Sequence, residues 1–236
     1  MNKFIGIFNH EKQDNFNLEY LEDFANASKN EFEHVELPKL SLIFSKKCHN
    51  SYYFDQSTQV LVFVFGRISS INSNFDVNKE EVIKNKAEII FNLYKSDKDN
   101  FIHKVIGSFC IQVFNFRESK VYTYKDHLGL RPFFYCNDAN QFYFASEINL
   151  FFESRLAKKA INRKRVIHFI AHTAGINNET FFSSIYRLPA SAKLSFQRNK
   201  IETKKMNLIQ FRKLNESLDQ VKVGLRDRLI NATLNM

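Results

Sequence analysis

The sequence predicts an α+β fold of mostly antiparallel sheets with helices on their outer faces. Three observations carry this expectation. Residues 107–147 read as four short apolar strands in succession, each ended by a polar turn, running into a helix. Residues 60–65 form an unbroken apolar run stopped by Gly66, as in a strand buried on both faces. Beyond it, Ile83, Ala87, Ile90 and Tyr94 fall on one helical face, enough to cover one side of a sheet.

Within the meander, strand 108–114 meets strand 120–124 across the turn Arg117-Glu118-Ser119. The chain then enters Asp126-His127-Leu128-Gly129-Leu130-Arg131-Pro132. Gly129 permits a backbone conformation that a side chain forbids, and Pro132 fixes φ where the next strand begins. Two aromatic strands follow, 133–136 and 141–145, joined by the turn formers Asn137-Asp138-Ala139-Asn140. Ser146 has the chemistry of an N-cap for a helix through Glu147, Leu150 and Phe151.

The remaining elements are simpler. Phe4 to Phe8 reads as a short buried strand, 18–24 as a short helix or amphipathic loop, and 40–44 as a strand. Asp76 or Asn78 caps the helix that carries Ile83, and Glu81 follows Asn78 by three, as in a capping box. Residues 162–172 read as a helix with His168 and His172 on one face. Phe169 stands where a zinc protease needs glutamate and no third ligand is indicated, so no metal is expected. Cys48 and His49 are adjacent in a polar turn, a poor geometry for a thiolate pair. From Asn215 onward an amphipathic helix carries Leu218, Val221, Leu225 and Leu229 in one stripe, which needs a surface to cover.

Composition narrows the function classes. Of 236 residues 44% are hydrophobic and 26 are Phe, ample for a core, while six Gly and three Pro leave little for flexible linkers. No run of about 18 apolar residues exists, and the N-terminus turns polar too soon for a signal peptide. Cysteines at 48, 110 and 136 lack pair spacing, which argues against disulfides and a zinc site and favours a cytoplasmic address. The net charge of +9 is uneven: residues 155–213 carry 14 Lys/Arg against two acids. No nucleic-acid recognition fold accompanies this surplus, so surface or domain-interface charge is expected, with no nucleic acid and no membrane as partner.

Certain motifs go further. Gly107-Ser108-Phe109, Asp126-x-x-Gly129-Leu130-Arg131-Pro132-x-x-Tyr135 and Phe144-Ala145-Ser146-Glu147 stand in order. Thr180-Phe181-Phe182-x-x-Ile185-x-Arg187-Leu188-Pro189-Ala190 follows. In order and spacing these resemble the class II glutamine amidotransferase domain, the Ntn-type glutaminase at the front of asparagine synthetases. The likeness spans residues 5–200 or so. It implies an Ntn-hydrolase-like αββα sandwich.

The resemblance also implies positions for the chemistry. A glutaminase of this family uses its first residue twice: the cysteine thiolate attacks and its own α-amino group is the base. The family begins Met-Cys-Gly-Ile-Phe/Gly, and alignment on Gly6-Ile7-Phe8 puts Ile5 at the cysteine. The family's Asn-Gly-Glu motif, which supplies an oxyanion-hole donor, corresponds to Phe65-Gly66-Arg67. Losing one such donor costs about 3 kcal/mol of transition-state stabilisation. Alignment on Glu88 puts Lys86 where an aspartate holds the substrate ammonium, and a looser match puts Lys39 at the carboxylate-binding arginine. No catalytic residue is therefore expected. Phe65, Gly66, Arg67 and Lys86 are vestigial pocket positions, and Asp126, Gly129, Arg131 and Glu147 form a structural motif. Asp126-His127 has the makings of an orienter–base pair, but no nucleophile accompanies it.

Taken as a resemblance, this is a degenerate glutaminase-like domain (1–205) of an asparagine-synthetase-type, ATP-dependent amide-forming ligase. Residues 206–236 would be a linker and the first helix of a synthetase domain whose Ser-Gly-Gly-x-Asp-Ser loop is not in this sequence. β-Lactam synthetases and lasso-peptide cyclases, in which an internal amine attacks an adenylated carboxylate, are members of the same kind. No cofactor is expected in this chain; ATP and Mg are implied for the synthetase domain. The implied partners are that domain, in cis or as a separate chain, and a precursor peptide or small-molecule acceptor. Two alternatives stay open: a stand-alone module pairing with a separate synthetase chain, and a fragment of a working glutamine-hydrolysing asparagine synthetase.

Overall fold

The computed structural model describes residues 3–10, 31–46, 51–71, 79–138, 141–172, 178–206 and 217–234. The expectations for 18–24, for Cys48-His49 and for the caps at Asp76 and Asn78 lie outside them.

The first half contributes β1 (Phe4–Asn9), β2 (Phe32–Leu37), β3 (Leu40–Ser45), β4 (Ser51–Asp55), β5 (Val60–Ile71) and helix α1 (Lys79–Asp97). A 3-10 turn over Lys98–Lys104 leads into the meander β6 (Val105–Asn115), β7 (Lys120–Lys125), β8 (Phe134–Asp138) and β9 (Gln141–Ala145). Then come α2 (Ile148–Glu153), α3 (Arg163–His172), β10 (Tyr186–Arg187), β11 (Ala192–Gln197), β12 (Lys200–Lys205) and α4 (Leu218–Leu234). One sheet runs β10-β8-β9-β1-β3-β2 and the other β12-β11-β7-β6-β5-β4. Every neighbouring pair is antiparallel. The meander therefore does not stay in one sheet: β6 and β7 belong to the second, β8 and β9 to the first, and the Asp126–Pro132 stretch is the crossing.

The two sheets face each other across a core rich in phenylalanine. Leu61, Phe63 and Phe65 of β5 point inward to meet Phe4, Phe44, Phe142 and Phe144. Val60, Val62 and Val64 point outward under Ala87, Ile90 and Phe91 of α1. The continuous apolar run of β5 is thus a strand with cover on both sides, as its sequence predicts. The outer face of the first sheet buries Ile5, Ile7 and Ile43 beneath Leu150 and Phe151 of α2. Helix, sheet, sheet, helix is the layering that results. Phe rings interlock between the sheets, with centroids 4.5 Å apart for Phe4–Phe65 and 5.0 Å for Phe142–Phe196. Each fully buried ring contributes roughly 1.5–3 kcal/mol.

Helix starts differ in part from expectation. Ser146 does not cap α2; the cap position is Glu147, whose side chain makes no capping bond. The Ser146 hydroxyl instead accepts the Phe4 N–H at 3.0 Å, and the Ser146 N–H donates to the Phe4 carbonyl at 3.0 Å. Pairing of β9 with β1 runs one residue further than the strand and consumes the hydroxyl. At α3, Asn162 Oδ1 accepts the Arg165 N–H at 3.1 Å, a side-chain cap. At α4, Ser217 Oγ accepts the Gln220 N–H at 3.3 Å while Gln220 Oε1 accepts the Ser217 N–H at 2.9 Å, a capping box. The α4 stripe lies open: Leu218, Leu225 and Leu229 are 71%, 57% and 60% exposed. Among the described residues, no helix is long and apolar enough to cross a membrane.

Candidate functional site

Several of the residues singled out in the sequence converge where β5 and β6 meet the start of β1. Phe65, on the inner face of β5, is buried edge-on against Phe4. Gly66 follows with φ +104°, a region that L side chains rarely enter. A Cβ there would sit 2.3 Å from the Ser108 carbonyl oxygen and 3.0 Å from Arg131 Nε, so glycine is required twice over. Arg67 is exposed.

Helix α1 breaks its regular geometry at Asn85 (φ −119°, ψ 27°), and Lys86 comes next. Its ammonium donates to the Gly66 carbonyl at 2.9 Å, and the residue is only 4% exposed. Burial, and then the nearby Arg131 guanidinium, lower its pKa to about 8. Arg131 Nε donates to the Ser108 carbonyl at 3.4 Å, and its guanidinium carbon lies 5.9 Å from the centre of the Phe65 ring. Two cations and two aromatic rings therefore surround the Gly66 bend.

Asp126 holds this corner together. It is buried, with Oδ2 accepting the Phe109 N–H at 3.0 Å and Oδ1 accepting from Gly129 and from Leu130, the latter at 3.2 Å. Gly129, at φ +65°, packs against Ala190. With its carboxylate given over to main-chain donors, Asp126 does not orient His127 as a base, and the orienter–base pairing is set aside. The polar motif is also less unified than its sequence implies. Asp126 serves the backbone, Arg131 serves Ser108, and Glu147 makes an ion pair of 3.1 Å with Lys3.

Two further positions are not brought to this corner. Ile5 pairs with Ile43 and Ala145 in mid-sheet and turns its side chain to the outer face under α2, opposite in parity to Phe4. Lys39 lies at the other end of β1, where its carbonyl accepts the Asn9 N–H at 2.8 Å and its ammonium bonds the His10 carbonyl at 3.2 Å. Its match to a carboxylate-binding arginine fails because β1 separates it from Phe65 and Lys86. Cys110 and Cys136 are buried thiols whose pKa values burial pushes up to about 12, which suppresses thiolate. His168 and His172 do share a face, their ring centres 4.8 Å apart.

Sequence reading missed one charge. Lys125 of β7 is fully buried between the sheets, donates to the Leu188 carbonyl at 3.0 Å, and has a pKa lowered chiefly by burial. Gln112 and Thr123, paired across β6 and β7, are buried beside it. The alternation Val121, Thr123, Lys125 was the available signal, since a period of two puts all three on the inward face.

Comparison with known proteins bears on the family. A family model described as a glutamine amidotransferase domain matches residues 65–207. The asparagine synthetase [glutamine-hydrolyzing] 2 of Bacillus subtilis (strain 168) is 30% identical over 109 residues, which are 44% of this chain and 15% of that protein. A putative asparagine synthetase [glutamine-hydrolyzing] 2 of Methanocaldococcus jannaschii is 28% identical over 139 residues, covering 54% of this chain and 25% of the relative. The chain thus spans a quarter or less of the length of these curated relatives. Among solved structures, a glutamine phosphoribosylpyrophosphate amidotransferase from B. subtilis complexed with ADP and GMP superposes with a TM-score of 0.48. Its identity is 9%, covering 86% of this chain and 49% of the other.

Proposed function

This chain belongs to the glutamine amidotransferase domain family, in the class II form that stands at the front of asparagine synthetases. From that premise we propose that it is a pseudo-glutaminase: the N-terminal domain of an ATP-dependent, amide-forming ligase that no longer hydrolyses glutamine. The observation that carries the reading is the bond from Lys86 to Gly66. The resemblance implies an acid at the first position and an asparagine beside the second. The chain has instead a buried ammonium on the glycine carbonyl and the Phe65 ring against Phe4. Like charges 4 Å apart at an effective dielectric near 20 repel by about 4 kcal/mol, so this corner opposes a substrate ammonium. A phenyl ring donates nothing to an oxyanion.

Strand parity bears on the nucleophile. Phe4 shares the inner face with Phe65, and Ile5 faces the other way. Two positions before Phe4 in the sequence stands Asn2, which lies outside the described residues. Neither Ile5 nor Asn2 supplies a thiol. The domain reading follows the same line: 1–205 as the amidotransferase-like unit, 206–236 as linker and first helix of a synthetase domain in cis or in a separate chain. The open α4 stripe supports it. ATP and Mg would be bound by that domain, whose acceptor is a peptide or small molecule.

The test is ammonia and glutamate release from glutamine by purified protein. No turnover above background is expected, nor from Asn2→Cys alone with Met1 removed so that the cysteine amine is free. Adding Phe65→Asn and Lys86→Asp is expected to bring turnover into range, with gains that do not add, as for groups that act as a unit. Turnover by the unmodified chain that is lost on changing Lys86 or Arg131 would overturn the proposal.

A further inference from the structure

One face of the molecule combines apolar exposure with positive charge. It is built from α3 and the chain around residue 180. These are joined by the bridge between Ile161 and Phe182, by the Asn162 N–H donating to the Phe181 carbonyl at 2.8 Å, and by a Phe169–Phe181 ring contact of 5.2 Å. Ile161, Ile167 and Ile170 are 65%, 67% and 75% exposed, and Phe169 and Phe181 are both 43% exposed. An amphipathic helix ordinarily turns such residues into the core. Apolar surface left in water on this scale marks a contact site.

The charge around it is mainly positive, with Glu179 the acid in the chain around residue 180. Residues 155–172 contain six Lys/Arg and no acid. Next to Ile161 and Phe182, through Ala160 and Ser183, opens a cavity of about 520 Å³. Arg155, Lys158, Ser183 and Ser184 contribute to its lining, with Asp138 its single acid. On α3 the cations do not segregate from the apolar residues: Arg163, Ile167 and Ile170, at helical spacings of four and three, share one exposed face. A helix that lies in a lipid surface separates the two classes onto opposite faces. Interleaving fits instead a partner that alternates acids with bulky apolar side chains.

We propose that this surface docks an acidic, apolar peptide segment of a partner protein. Its bulky side chains lie on Ile167 and Ile170, and a carboxylate enters the cavity against Lys158. The site is independent of the glutamine corner, and its success or failure leaves the pseudo-glutaminase reading untouched.

The probe is a short fluorescein-labelled synthetic peptide alternating Glu with Leu and Phe, read by anisotropy. The comparisons are the same peptide with Lys for every Glu, and anionic phosphatidylglycerol vesicles. The acidic peptide is expected to bind, more weakly as salt rises, and the lysine peptide not to. Ile170→Asp and Lys158→Glu each weaken binding at least about tenfold, as for central interface contacts. Lys200→Glu on β12, away from this face, leaves it within about twofold. All three positions are exposed, so circular dichroism should show unchanged folds. Absence of acidic-peptide binding overturns the proposal, as does equal loss in Lys200→Glu, which would reduce the effect to net charge. Capture by vesicles but not by the peptide overturns it too.

Discussion

Lys86 is held out of water with its ammonium on the Gly66 carbonyl and Arg131 nearby, and its pKa drops from 10.5 to about 8. Between those values the unfolded chain binds more protons than the folded one. Stability therefore rises as pH climbs from about 8 to about 10.5, and below about 8 the buried charge exerts its full cost. Chemical denaturation across that window should show the rise. Lys86→Met should flatten it and raise stability at pH 7 by roughly 1–2 kcal/mol, the relief of the charge less the lost bond. Lys125 is shifted in the same direction, so part of the slope should survive in the variant. Gly66 gives a second prediction. Its φ of +104° and the Ser108 oxygen 2.3 Å from a built Cβ leave alanine no room. Gly66→Ala should cost at least about 2 kcal/mol, a fall of roughly 4–8 °C in thermal midpoint. An unchanged midpoint would mean that β5 and β6 part here at little cost. Lys86 was legible through resemblance alone. Its bond to Gly66 was not, because nothing in a linear sequence shows a helix irregularity at Asn85.

Among the elements, strands were read more securely than helix starts. A strand buried on both faces writes itself as unbroken apolar sequence, which is why β5 could be placed at once. A serine after a strand is ambiguous, for its hydroxyl can cap a helix or bridge to a neighbouring strand; at Ser146 the neighbour won. The capping box at Ser217 and Gln220 had the S-x-x-Q signature and was still passed over. Lys39 went astray because its match was a loose one that no spacing anchored. For α4, hydrogen exchange decides. Its local caps are satisfied but its apolar stripe is open, and most helical stability in proteins comes from packing such a face. Amides in 218–234 should exchange close to free-peptide rates, and a cognate synthetase domain should slow them there. Protection equal to that of β5 in the isolated chain would remove the case for a missing surface.

At the scale of the whole molecule, two six-stranded sheets, a helix on each outer face and a phenylalanine-rich interior were legible as a class, and the meander motifs led to the family. The assignment of strands to sheets was not: residues 107–147 look like one continuous meander, yet Asp126–Pro132 carries the chain from one sheet to the other. The same limit applies at Ile5, whose side chain lies on the outer face of its sheet. Side chains alternate faces, so an alignment that is right to within a residue can still be wrong about which side of the sheet a group occupies. A sandwich filled with so many similar rings also has a degeneracy problem. Sliding β7 along β6 by two residues keeps every side chain on its proper face, though it parts buried Gln112 from Thr123. It also carries the Lys125 ammonium about 6.8 Å along the sheet, away from the Leu188 carbonyl that accepts from it, and a buried charge that loses its partner costs several kcal/mol. The lysine thus works as a registration mark: rings hold the two sheets together in many alignments, and one buried cation favours the alignment in which its ammonium keeps the Leu188 carbonyl.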